Sequence, residues 1–218
     1  LFQHEIKNIS RQIKIISEIN HPAINKFIGY SPVDFDNKQK PVIVTNYYPN
    51  DLCDLIQHQK ASLDLDEVIY PEFDETKKLI IIYGIASAMS FLHSHNIIHR
   101  DLRPENISIF GCCKNSGFIV FYPKLSGFNI SKVINGSKEV SQSIKGTPAY
   151  LAPEVYLKHE YSKASDVYSF SLLMYELITL RKPFDILLSP KQIKEELIGT
   201  NHHSKHKELI NDFKGKIR

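Results

Sequence analysis

The hydrophobic positions of this chain change their period several times, and each change marks an element. Ile6, Ile9, Ile13, Ile16 and Ile19 recur every three or four residues, which predicts one amphipathic helix over residues 2–19. His21-Pro22 ends it, because proline has no N–H and disfavours a helical residue before it. Residues 25–30 and 41–47 read as short strands, with the polar DFDNKQK between them as a turn. The unbroken β-branched run in PVIVT predicts a strand covered on both faces. After Asn50 the pattern turns helical, with a short helix over 51–59 and a long, deeply buried one over 75–95. Residues 97–109 and 118–125 return to strand-like runs. Residues 129–150, rich in Ser, Thr, Lys and Gly, read as one long loop, of the kind that is usually functional or disordered. Residues 164–180 form a further helix with almost no charge, which places it in a core. A few strands followed by helices predict two lobes joined near residues 45–50.

Composition narrows the class without naming a chemistry. With 218 residues, 42% hydrophobic and 23% charged, the chain falls outside disordered, collagen-like and disulfide-scaffold classes. A net charge of +3 is too mild to argue for nucleic acid, and the basic end HHSKHKELINDFKGKIR carries Glu208 and Asp212 among its cations. The apolar stretch from Leu79 to Leu92 is shorter than the roughly 20 residues of a membrane span. No basic-then-apolar leader opens the chain, so a soluble fragment without a membrane partner is expected. Cys53, Cys112 and Cys113 are odd in number, which fits a reducing, cytoplasmic setting. His202, His203 and His206 contain an i, i+4 pair, but no Cys or carboxylate cluster completes it, and they read as a solvated face.

The chemistry lies in three motifs in a fixed order. His99-Arg100-Asp101-Leu102-Arg103-Pro104-Glu105-Asn106 resembles the protein-kinase catalytic loop, placed after a buried helix and before a strand. Gly146-Thr147-Pro148-Ala149-Tyr150-Leu151-Ala152-Pro153-Glu154 resembles the end of an activation segment, and Asp166-Val167-Tyr168-Ser169-Phe170 the opening of the central kinase helix. GTPAY-x-APE and Pro104-Glu105 resemble the Ser/Thr-specific pattern, and INHPAINKFIGYSP resembles the tyrosine-kinase-like group. The resemblance implies an α+β, bilobal protein-kinase fold. Its N-lobe is truncated to one helix and two recognisable strands, and its mainly helical C-lobe lacks its last helices. Residues 1–48 are then a partial N-lobe and hinge, 49–190 the C-lobe, and 191–218 a polar basic segment.

Phosphoryl transfer needs mainly positioning and charge stabilisation from the protein. The resemblance implies that Asp101 accepts the substrate hydroxyl's proton and that Asn106 holds a Mg²⁺ ion beside ATP. Arg103 stands where Ser/Thr kinases usually carry a Lys, a planar fork in place of a compact ammonium. Thr45 falls at the gatekeeper, Asn46, Tyr47 and Tyr48 form the hinge, and Ser108 takes the place of the apolar floor of the adenine pocket. Phe27, Ile16, Phe128 and His99 match the side chains that stack between the lobes, with Asp166 as their anchor; plain core packing accounts equally for Phe27 and Ile16. Arg100 has two readings, a partner for a phosphate in the activation loop or a tie on the backbone. Ser131, Ser137, Ser141, Ser143 and Thr147 are open to phosphorylation or to plain solvation.

The departures set the functional expectation. Gly127-Phe128-Asn129 stands where the family has Asp-Phe-Gly, so the carboxylate that holds Mg²⁺ is missing. Gln12 stands where the helix Glu is expected, and the family's last helices, one of which supplies an Arg to Glu154, are not recognisable. The chain therefore reads as a Ser/Thr-type pseudokinase acting as scaffold or regulator through a protein partner. The alternative is an active ATP-dependent Ser/Thr kinase acting on a protein substrate. Nucleic acid is expected in neither.

Overall fold

The computed structural model describes residues 2–65, 73–113, 119–184, 189–198, 207 and 211. The isoleucine stripe folds as helix α1 (Phe2–Glu18), followed by the antiparallel pair β1 (Phe27–Ser31) and β2 (Val42–Thr45). Ile15 and Ile16 enter the core at 2% and 6% exposure. Ile9 and Ile13 instead line a groove of about 600 Å³ together with Tyr30, Val33 and Pro41. Here the expectation for PVIVT is corrected. Val44 and Thr45, whose side chains point to opposite faces, are both exposed, because among the described residues β2 pairs only with β1 and its end is covered on neither face.

Residues 23–25 carry the chain down to the helical region. Asn25 N and Leu125 N exchange hydrogen bonds with Leu125 O and Ala23 O, both at 2.8 Å. Next come β3 (Asn50–Asp51), α2 (Leu52–Leu65) and α3 (Glu75–Ser94). Asp74 caps α3 by accepting from Lys77 N. Its buried face, Ile81, Ile85, Ala88, Met89 and Leu92, follows the helical repeat, while Leu79 and Tyr83 are 64% and 77% exposed. The helix is thus buried on one face, not all round as its composition suggested. At Gly84 a Cβ would meet Pro123 Cγ at 2.4 Å, so the absent side chain sets how closely the helix and the strand carrying Pro123 approach.

The catalytic-loop motif occupies the turn between β4 (Ile97–Ile98) and β5 (Ile107–Cys113), and β5 pairs along its whole length with β6 (Ile119–Leu125). The Ser/Lys-rich stretch is not one open loop. It holds β7 (Lys132–Val133), paired with β4, and β8 (Lys138–Val140), paired with β9 (Glu160–Ser162). Helix α4 (Pro153–Lys158) precedes β9, and α5 (Lys163–Thr179) follows it with a Ser162/Ser165 capping box. Leu173 and Leu177 of α5 join α1, α2 and α3 in one continuous core. A second cluster around Tyr150, Tyr156, Tyr161 and Phe184 takes in Ile193 of helix α6 (Pro190–Ile198). His202, His203 and His206 lie outside the described residues.

Candidate functional site

Asp166, in the first turn of α5, fixes the backbone on which the site is built. Its carboxylate is 1% exposed and accepts from His99 N at 2.8 Å, Arg100 N at 2.9 Å and His93 Nε2 at 2.9 Å. Those bonds hold Arg100 at φ +70°, a left-handed conformation unusual for a residue with a side chain. The sharp turn delivers Asp101 to the surface of the cleft. His99 supports the turn from beneath. Its Nε2–H donates to Ser126 O at 2.8 Å, and its Nδ1 accepts from Asp101 N at 3.3 Å. Burial, the largest influence on this ring, pushes its pKa down.

The Asp101 carboxylate accepts three hydrogen bonds from the chain itself. Oδ1 accepts from Thr147 Oγ1 at 2.8 Å and Thr147 N at 3.1 Å, and Oδ2 accepts from Asn106 Nδ2 at 2.9 Å. Arg103 Nη1 donates to Thr147 Oγ1 at 2.8 Å, while its Nε donates to Glu105 at 2.7 Å. The planar fork thus spans two acceptors, as a single ammonium does not. Burial opposes ionisation of Glu105, but Arg103 and Lys182 hold its carboxyl below the ordinary value.

Asn106 is held by the same turn. Its Nδ2 also donates to Asp101 O at 2.7 Å, and its main-chain carbonyl accepts from Ser126 N and Oγ. Gly127 follows at φ +79°, and a Cβ there would lie 2.4 Å from Asn106 Cγ. Position 127 therefore lacks a carboxylate and, in this arrangement, also lacks room for one. Among the described residues no group of three His, Cys, Asp or Glu side chains could hold a metal ion. Hard divalent cations take charged oxygen ligands, and with no carboxylate at position 127 the neutral Asn106 amide oxygen does not by itself meet that need.

The remaining expected residues fall into two groups. His99 and Phe128 meet edge to face at 5.0 Å in the core that contains Ile16, and Phe27 packs against that core. Arg100 ties the backbone: its Nε donates to Ile130 O and its guanidinium lies 5.2 Å over the Tyr161 ring. Its Nη2 is buried without a hydrogen-bond partner among the described residues. Thr45 is exposed at the end of β2, where Asn25 Nδ2 approaches its hydroxyl at 3.4 Å. Asn46 N donates to Lys26 O, Tyr47 is 85% exposed, and Tyr48 meets Phe110 edge-on at 6.0 Å. Ser108 lies partly buried opposite Asp51 and Lys124. Gln12 is partly buried on α1, and its neighbour Arg11 reaches Asn129 O at 3.4 Å. Glu154 sits beside Tyr168, whose phenol is pushed up by burial and by that carboxylate.

Two residues beside the site escape sequence reasoning, Glu176 and Lys182, as does the contact that the motif residue Tyr150 makes with them. Glu176 is 2% exposed, accepts from the Tyr150 hydroxyl and pairs with Lys182 Nζ at 2.7 Å. A lone Glu late in a nearly uncharged helix is a usable signal, since a buried charge needs a partner. The partner itself lies beyond the end of that helix.

A family model for the protein kinase domain matches residues 2–214. The chain belongs to the protein kinase family. Among similar proteins, the C. elegans "Serine/threonine-protein kinase nekl-2" is 30% identical over 97% of this kinase domain and 57% of its own length. "Serine/threonine-protein kinase 36" of Pongo abelii is 30% identical over 84% of the chain, and "Probable serine/threonine-protein kinase gdt4" of Dictyostelium discoideum is 35% identical over 84%. The chain spans 12% and 10% of the lengths of those two proteins. The α+β kinase fold, with its reduced strand region, is the fold expected from the motifs.

Proposed function

We propose that this protein kinase domain is of Ser/Thr type and catalytically impaired, a pseudokinase that acts as scaffold or regulator through a protein partner. The observation that carries this reading is Gly127 packed against Asn106. One end of the usual ion site is altered, its carboxylate being absent, and the Asn106 carboxamide lies against the place where that side chain would begin. Gln12 in place of a helix carboxylate removes a second of the parts that transfer requires. The column of His99, Phe128 and Ile16 is nevertheless packed, so a kinase-shaped surface persists without its chemistry. ATP and Mg²⁺ are the ligands the family uses, membership of the tyrosine-kinase-like group follows from INHPAINKFIGYSP, and a cytoplasmic setting follows from the odd cysteine count.

One observation favours the alternative of an active kinase. Thr147 Oγ1 lies within hydrogen-bonding distance of both Asp101 and Arg103, a constellation suited to accepting a hydroxyl proton beside a cation. The deciding measurement is incorporation of labelled phosphate from Mg-ATP into a Ser/Thr peptide library, beside the Asp101→Asn variant. Background incorporation, equal in both proteins, is expected. Robust incorporation that vanishes in Asp101→Asn would overturn the pseudokinase reading.

A further inference from the structure

The turn between β1 and β2 carries a phenyl ring left almost wholly in water. Phe35 is 96% exposed, although the turn that bears it is closely tied. Asp34 Oδ1 accepts from Asp36 N at 3.0 Å and from Lys38 N at 2.9 Å. Asn37 N donates to Asp34 O at 3.1 Å, with Asn37 at φ +60°. These bonds fix the backbone on both sides of Phe35, so a rigid turn holds the ring away from its own body. The base of the same hairpin borders the groove of about 600 Å³, where Tyr30, Val33 and Pro41 face Ile9 and Ile13 of α1. An exposed phenyl and an open, largely apolar groove thus lie a few residues apart on one hairpin.

Charge divides the turn in the same spacing. Its first half is acidic, with Asp34 and Asp36 on either side of the ring. Its second half is basic, with Lys38 and Lys40 on either side of Gln39, which lines the groove. The ring is thus flanked by carboxylates and the groove by ammonium groups, so each half of the turn complements the other half of a second molecule related by a two-fold axis. We propose that two copies of this chain associate through this hairpin, Phe35 of each entering the groove between α1 and the β1–β2 pair of the other. Asp36 of one copy then lies beside Lys38 and Lys40 of the other. One turn and one groove on each side make a contact at the low end of specific interfaces, so the dimer is weak and concentration-dependent. None of these residues belongs to the site at Asp101, so the association holds whether or not phosphate is transferred.

The test is sedimentation equilibrium of the full chain from micromolar to near-millimolar concentration. Wild type is expected to pass from monomer to dimer over that range. Phe35→Ser removes the ring from an exposed turn without touching the core, and should weaken association at least about tenfold. Ser10→Trp fills the groove from the exposed side of α1 and should weaken it as much. Mixed together, the two variants offer one ring and one open groove on different molecules, and should pair more readily than either pairs with itself. If Ser10→Trp fails to fold, Phe35→Ser decides alone. Wild type that stays monomeric to the highest concentration overturns the proposal and leaves the pseudokinase reading untouched. Dimers that persist unchanged in Phe35→Ser place the interface elsewhere and overturn it equally. Dimers lost in Phe35→Ser but unchanged in a folded Ser10→Trp overturn the groove as the seat of the ring.

Discussion

The carboxamide of Asn106 stands where a side chain on Gly127 would begin, its Cγ 2.4 Å from the Cβ position. Gly127 also sits at φ +79°, where a side chain is strained even in open space. Restoring an aspartate there is thus a change of packing as well as of chemistry. Gly127→Asp and Gly127→Ala should each destabilise the domain by about 1–3 kcal/mol in urea unfolding. The cost should shrink in an Asn106→Ala background, because neighbours that share space are non-additive. Equal costs in both backgrounds would show that the clash relaxes freely.

Asp166 satisfies two backbone N–H groups at once, those of His99 and Arg100. Each donor left buried without a partner costs about 1–3 kcal/mol. Asp166→Ala should therefore lose roughly 2–6 kcal/mol, and Asp166→Asn, with one remaining acceptor oxygen, about half of that. Denaturant midpoints of the two variants would check both the size and the order.

Stability should fall as pH drops below about 6.5, through His99 above all. Burial lowers the folded pKa of this ring beneath its unfolded value of 6.5, so the unfolded chain binds the proton more readily. A charged imidazolium would also turn an Nδ1–H against Asp101 N–H, which the neutral ring accepts. His21, likewise lowered by burial and then by Lys124, adds to the same slope. Thermal midpoints from pH 7.5 to 5.5 should decline in wild type and decline less in His99→Phe.

Tyr161 holds both sides of the Lys145 backbone through one hydroxyl, receiving from Lys145 N and donating to Lys145 O. Tyr161→Phe should cost about 1–3 kcal/mol while keeping the ring beneath Arg100. Trypsin should then cut after Lys145 earlier than in wild type. Unchanged cleavage would mean that the strand pairing alone holds the segment.

The parts of this domain that could be read in advance are those whose partners are close in sequence or carried by a motif. Asp101 and Asn106 lie five residues apart and do meet, as do His99 and Phe128 within two motif-bearing turns. What stayed hidden depends on contacts made at long range. Lys182 is an ordinary surface lysine until the fold brings Glu105 and Glu176 to it. The absence of a carboxylate at Gly127 was visible in the letters, but the lack of room for one was not, because it depends on how Asn106 is drawn towards Asp101. PVIVT misled for the same reason. Its composition records what a strand can bury, and its neighbours decide what it does bury.

The pairing of β7 with β4 and of β8 with β9 fastens the Ser/Lys-rich stretch on either side of an exposed tip, Asn135-Gly136-Ser137. A peptide bond severed at that tip would leave two chains, each still hydrogen-bonded to the same body. Such a nicked molecule would run as one species on a sizing column and as two bands once denatured. Losing covalent continuity there is a different event from losing the surface that the stretch builds.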